Sequence, residues 1–182
     1  MSSPVAESLP DTRANHDALM ALANRVAAVL IRYADKHGYE HGLTLASHAL
    51  AMAVAKGSLC WDETEAADRD AYFAAHAENV RHYRDRYLER DQRRIFDTAP
   101  TCSTGPAKTK DAVGIASEIA AAIKNYEPVY GVDATAQFAG NVLAMMAGNL
   151  MLNYSTNPEG FLSYYTNLAR TYRGLLQSRR AA

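Results

Sequence analysis

No stretch of this 182-residue chain alternates apolar and polar residues as a half-buried strand does, so the predicted class is all-α. The sequence also lacks a G-x-S-x-G elbow, a glycine-rich phosphate loop, a dinucleotide fingerprint and any acidic pair spaced for two-carboxylate chemistry. These absences leave nucleophilic and nucleotide-dependent catalysis without their usual residues, so an enzyme is not the first expectation and no cofactor is called for. Only two cysteines are present, Cys60 and Cys102, without C-x-x-C spacing, and they read as a reduced cytoplasmic pair and not as a disulfide. Cys102 sits in Pro-Thr-Cys-Ser-Thr-Gly with no base beside it, which makes it a passive thiol. Residues 1–10 have neither a basic start nor an apolar run and read as a flexible tail, not a signal peptide. Net charge is also nearly absent, at -1, which argues against nucleic acid as a bulk electrostatic partner.

What is present is internal similarity at an offset of roughly 90 residues. Leu22, Val26, Leu30 and Tyr33 align with Ile115, Ile119, Ile123 and Tyr126; Gly38 aligns with Gly131; Leu50, Ala51 and Met52 align with Leu143, Ala144 and Met145. At a slightly shorter offset, Arg81, Tyr83 and Arg84 match Arg170, Tyr172 and Arg173. The aligned positions are mainly the apolar stripe of helices, so a packing face is what repeats. The expected architecture is a bundle of about six helices in one domain over residues 11–182. A first three-helix unit spans 11–95, a linker 96–108, and a second unit 109–180.

Capping and breaking residues set the predicted boundaries. The first helix runs from Asp11 or Thr12 to Gly38, with Leu19, Leu22, Val26, Leu30 and Tyr33 inward. The second covers Leu43 to Ala55 and stops at Gly57, and the third opens on an Asp62–Glu65 capping box with Phe73, His76, Val80, Tyr83 and Tyr87 as its stripe. The fourth begins near Thr109 and must end at Tyr126 or Glu127, because Pro128 cannot continue it. The fifth is capped by Asp133, and the sixth by Asn157 with Pro158 at its first position. The inward face of that last helix is expected to be Phe161, Tyr165, Leu168, Tyr172 and Leu175 or Leu176.

The middle helix of each unit is uncharged: Leu43–Ala55 and Ala134–Pro158 contain no Asp, Glu, Lys or Arg, the mark of a helix surrounded by protein. Gly140, Ala144 and Gly148 recur every four residues and allow close approach of another helix. The amides Gln137, Asn141, Asn149 and Asn153 in the same segment argue against hydrocarbon as its surroundings, so a membrane partner is not expected.

Those amides supply the first candidate site. Buried polar groups need partners, and the repeat sets His48 opposite Asn141, so His48, Gln137, Asn141 and Asn149 are candidates for a ligand-binding cleft between the halves, against the plainer reading of core hydrogen bonds. A second cluster, His37-Gly-Tyr-Glu40-His41, spells the H-x-x-E-H order of one class of zinc peptidase. Gly38 and Gly42 interrupt the continuous helix such a site requires, so no metal is expected and the histidines read as solvent-exposed loop polarity. The last helix carries no acidic residue after Glu159 but has Arg170, Arg173, Arg179 and Arg180 with Tyr164, Tyr165 and Tyr172. Arginine with tyrosine is the composition of interface hot spots, which makes Arg170, Arg173, Tyr164 and Arg84 candidates for contact with a partner. In each Tyr-Arg pair the tyrosine is expected inward and the arginine outward.

The functional expectation is therefore a non-enzymatic helical binding protein: an interaction, adaptor or regulatory module. Its partner is another protein or a second copy of the chain, and the alternative is a small-molecule-binding or enzymatic bundle built on the polar cleft.

Overall fold

Apolar residues spaced three and four apart recur through the chain, and each such run is a helix. The computed structural model describes residues 13–59, 66–90, 109–154 and 156–180, among which there is no strand. Helix α1 spans Arg13–His37, α2 Tyr39–Ser58, α3 Ala66–Glu89 and α4 Thr109–Lys124. A four-residue helix α5, Glu127–Tyr130, leads into α6, Val132–Met151; a 3-10 turn, Leu152–Tyr154, precedes α7, Pro158–Arg180. The described residues form an all-α bundle of six long helices, as the periodicity predicts. The Asp62–Glu65 capping box, Cys60, Cys102 and the 96–108 linker lie outside the described residues.

Several boundaries differ from expectation, each for a local reason. Helix α2 starts four residues early and runs through both Gly42 and Gly57. A Cβ on Gly42 would lie 2.6 Å from the Ala34 Cβ, so this glycine lets α1 and α2 touch, while one on Gly57 would crowd the Tyr72 hydroxyl of α3 at 3.1 Å. Pro128 does not end α4, which stops at Lys124; it opens α5, where a missing N–H costs nothing. Gly131, not Asp133, precedes α6, and Asp133 falls in the first turn, where the helix dipole favours a carboxylate. Asn157 caps α7 as expected, its Oδ1 accepting the Gly160 N–H at 2.9 Å with Pro158 first in the helix.

Two glycines turn the chain between helices in the same way. Gly38 joins α1 to α2 at φ 87°, ψ 160°, and Gly131 joins α5 to α6 at φ 79°, ψ 169°. Residues with a Cβ avoid this region, so the sharp reversal is specific to glycine.

The helices then pack crosswise. Helix α3 lies along α6, and α7 lies along α2, while α1 rests on α2 and α6 and α4 rests on α2. The third helix of each half thus packs mainly on the middle helix of the other half. Of the two glycines in the small-residue stripe on α6, only Gly148 is pressed: a Cβ there would lie 2.8 Å from the Val80 carbonyl oxygen and 2.9 Å from the Arg84 nitrogen, whereas one on Gly140 would meet open space. Helices α2 and α6 form the centre, with Ala49, Leu50, Ala51, Val54, Val142, Ala147 and Leu150 fully buried. No helix among the described residues is long and apolar enough to cross a membrane.

Two buried side chains, one from each half, meet at the core. His76 of α3 and Tyr165 of α7 share a hydrogen bond, Nε2 to hydroxyl, at 3.2 Å. Burial lowers the His76 pKa to about 4 and raises that of the Tyr165 hydroxyl, so both stay neutral near neutral pH. Tyr165 stacks on Phe161, and Phe161 on Tyr154, with ring centroids 6.0 and 4.5 Å apart. At the rim, the Tyr33 hydroxyl donates to Glu118 at 2.9 Å and Arg32 pairs with the same carboxylate, tying α1 to α4. Arg81 pairs with Glu159 at 2.8 Å, tying α3 to the start of α7.

Candidate functional site

Helix α2 is buried on nearly every side. The residues left at least partly open along its outer line are His41, Thr44, His48, Met52 and Lys56, spaced three and four apart. Against this strip lies one edge of α7, where Tyr164, Leu168, Tyr172 and Leu175 recur at steps of four, four and three. The two strips form a seam open to solvent: Tyr164 is 50% and Leu175 56% exposed, and Met52, Leu168 and Tyr172 are half-buried.

His48 stands in the middle of the seam with both ring nitrogens engaged. Its Nδ1 is 2.6 Å from the Tyr172 hydroxyl and its Nε2 3.1 Å from the Tyr164 hydroxyl, and both phenol rings meet the imidazole edge to face at 6.0 and 6.4 Å. Burial pulls the His48 pKa down, favouring the neutral ring. A neutral imidazole has one donor and one acceptor. One tyrosine therefore accepts the ring N–H while the other donates its O–H to the bare nitrogen. The Tyr172 pKa is raised, first by burial and then by Tyr164, so the phenol remains protonated. Chemically this is a fixed platform of three rings with polar edges, not a histidine with a nitrogen open to a substrate.

The other candidate residues are dispersed. Gln137 and Asn149 are on α6, Asn149 buried, and both already interact with groups inside the protein; Asn141 is half-buried on the same helix. Both hydrogen bonds of His48 run to α7 and not to α6. The partner-contact residues do not share a patch either. Arg170 projects towards α3, over the Phe73 ring at 5.4 Å and 3.7 Å from Asp70, about 120° around the helix axis from Tyr164. Arg84, on α3, pairs with Asp85 at 3.0 Å.

Arg173 reverses the expected orientation. It is 6% exposed and engaged within the fold, whereas Tyr172 is only half-buried. The buried face of α7 is Phe161, Leu162, Tyr165, Thr166, Ala169 and Arg173, rotated from the expected stripe, because the small Thr166 and Ala169 let α7 settle closely on α2. Leu168 and Tyr172 are thereby moved to the edge and Leu175 into solvent.

The H-x-x-E-H order is split as its glycine implies: His37 closes α1, Gly38 turns the chain and His41 lies in α2. His37 is nonetheless not loop polarity. It is buried, stacked on Tyr33 at 6.3 Å, with a buried Nε2 that lacks a hydrogen-bond partner among the described residues. No group of three or more potential metal ligands occurs among the described residues.

The element that sequence reasoning missed is the pairing of His48 with Tyr164 and Tyr172. Two tyrosines two turns apart on one helix edge were the available signal. The chain matches no family model, no curated protein and no solved structure.

Proposed function

We propose that this protein is a non-enzymatic binding module that engages a protein partner through the seam between α2 and α7. The observation that carries this reading is the His48 ring held by Tyr164 and Tyr172 beside exposed Leu175. It is a pre-ordered, half-open aromatic and aliphatic strip. Aromatic rings already fixed in place lose little freedom on association, the property that makes them interface anchors. The setting we propose is the cytoplasm, on cysteine usage alone.

We place this seam on a duplicated scaffold. The matched turns at Gly38 and Gly131 support that reading, as do the crosswise packing and the meeting of His76 with Tyr165, which the late repeat offset pairs with one another.

The test is capture of the partner from the native host, followed by mass spectrometry, with wild type and with Tyr164→Ala/Leu175→Ser. Both positions are half open to solvent, so the melting temperature should move by little, within about 1 kcal/mol of stability, while the captured protein is lost. If the double variant captures everything the wild type does, the seam is scaffold. Co-purification of a small molecule lost on Asn141→Ala would favour a polar cleft between the halves instead.

A further inference from the structure

A second surface, on α1, has a pattern of its own; this helix packs mainly on α2, α4 and α6 and lends no residue to the seam. The line of α1 that points straight outward is Arg13, Asp17, Met20, Asn24, Ala28, Ile31 and Asp35, all exposed. Met20, Ala28 and Ile31 are apolar, Met20 36% and Ile31 40% exposed, Asn24 stands at the midpoint, and the ends are charged. Among the described residues, none of Arg13, Asp17 and Asp35 takes part in an ion pair and the Asn24 carboxamide takes part in no hydrogen bond, so these groups are not committed inside the fold.

Taken outward from Asn24, the line is complementary to itself at its innermost and outermost pairs. Met20 and Ala28 stand four residues to either side, Asp17 and Ile31 seven, Arg13 and Asp35 eleven. From this self-complementarity we infer that α1 pairs with α1 of a second copy of the chain, antiparallel, about a twofold axis through Asn24. In a twofold contact each residue meets its counterpart reciprocally. Large Met20 then fills the space over small Ala28, and Arg13 meets the oppositely charged Asp35, twice over. Asp17 falls between Ile31 and Arg32 of the second copy, where it shares a guanidinium that already pairs with Glu118 of its own chain. On the axis Asn24 meets itself. A carboxamide carries both a donor and an acceptor, so two of them facing each other across a twofold axis can each give an N–H to the other's oxygen. An asparagine at the centre of a helix seam fixes the register, because any slip leaves it without that partner. Exposed Ala21 and Ala28 flank Asn24 and keep the centre low, which lets the axes come within the usual distance of about 8–10 Å. One helix pair alone is narrow against the roughly 1,000 Å² that a specific interface needs. Helix α4, packed beside α1, widens it: Val113, Ser117 and Ala121 are exposed on its outer side, Val113 by 49%.

This pairing does not rest on the α2–α7 seam, and its test is separate. Sedimentation of the full chain across a concentration range should show a monomer–dimer equilibrium. Arg13→Asp and Asp35→Arg should each weaken the dimer at least tenfold by setting like charges opposite one another, and the double exchange Arg13→Asp/Asp35→Arg should restore it. In a Cys60→Ser/Cys102→Ser background, Asn24→Cys should form a disulfide-linked dimer under mild oxidation and Lys56→Cys, on the seam side, should not. Arg13, Asn24, Asp35 and Lys56 are all exposed, so circular dichroism melts of the dilute monomers should be unchanged. A monomer at every concentration overturns the inference. So does a dimer indifferent to the charge exchange, since that would be built on another face.

Discussion

The histidine at position 76 shows how burial gives a single side chain a pH window. Folded, His76 stays neutral down to a pKa of about 4; unfolded, it takes a proton near the ordinary value of 6.5. The unfolded chain therefore binds more protons between those limits. The stability this site supplies is complete above about pH 6.5 and is lost as pH falls toward 4, by about 3 kcal/mol. Urea unfolding at about pH 7 and about pH 4.5 should show that loss. His76→Phe, although weaker at neutral pH because the Tyr165 hydroxyl loses its partner, should have a flatter pH profile. If the wild-type profile is flat, the ring is not held neutral. His48, with its pKa lowered in the same direction, adds to the same slope. At this scale the sequence was partly legible. Phe73, His76 and Val80 were placed inward by spacing alone and are buried. Arg173 and Tyr172 were exchanged, because a stripe read from side-chain polarity could not register that Thr166 and Ala169 are small enough to draw the helix round. His37 was misplaced for a related reason: stacking on Tyr33 buries it despite its place beside a turn.

Helices were legible wherever apolar spacing and a cap agreed, as at Asn157–Pro158 in α7 or along Leu22, Val26 and Leu30 in α1. They were misjudged where a glycine or proline has a second use. Gly57 reads as a stop by local rules but is kept small by the Tyr72 hydroxyl, a neighbour the sequence does not reveal. The same distinction can be tested on α6, where two glycines of one helix differ only in what lies opposite. Gly148→Ala should force α3 away from α6, since backbone atoms of Val80 and Arg84 occupy the position of the new Cβ, costing about 1–3 kcal/mol. Gly140→Ala meets nothing and should be neutral or stabilising by up to about 1 kcal/mol, from helix propensity alone. Thermal unfolding of the two variants side by side decides the matter; equal effects would mean that α3 and α6 are not in close contact at Gly148.

For the whole molecule, helix count and class could be read from periodicity, but the crosswise assignment could not. An apolar stripe states that a helix is covered, not by which partner, and the stripe of α3 would have served equally well against α2. Because α3 rests on α6 and α7 on α2, neither half covers its own third helix. Fragments 1–95 and 96–182, purified separately, should show weak, non-cooperative melts by circular dichroism, and mixing them should restore a cooperative transition in a one-to-one complex. A half that melts cooperatively alone, as a monomer, would contradict the observed packing. The same feature bears on how the chain is made. At a synthesis rate of about 5–20 residues per second, α3 leaves the ribosome several seconds before α6 exists, and α2 waits longer still for α7. Native contacts that join such distant segments also close slowly. During that interval the apolar face of α3 around Phe73 and Val80 lacks the cover that α7 and α6 give it, so the nascent first half is the form of this protein most in need of a chaperone and most exposed to aggregation.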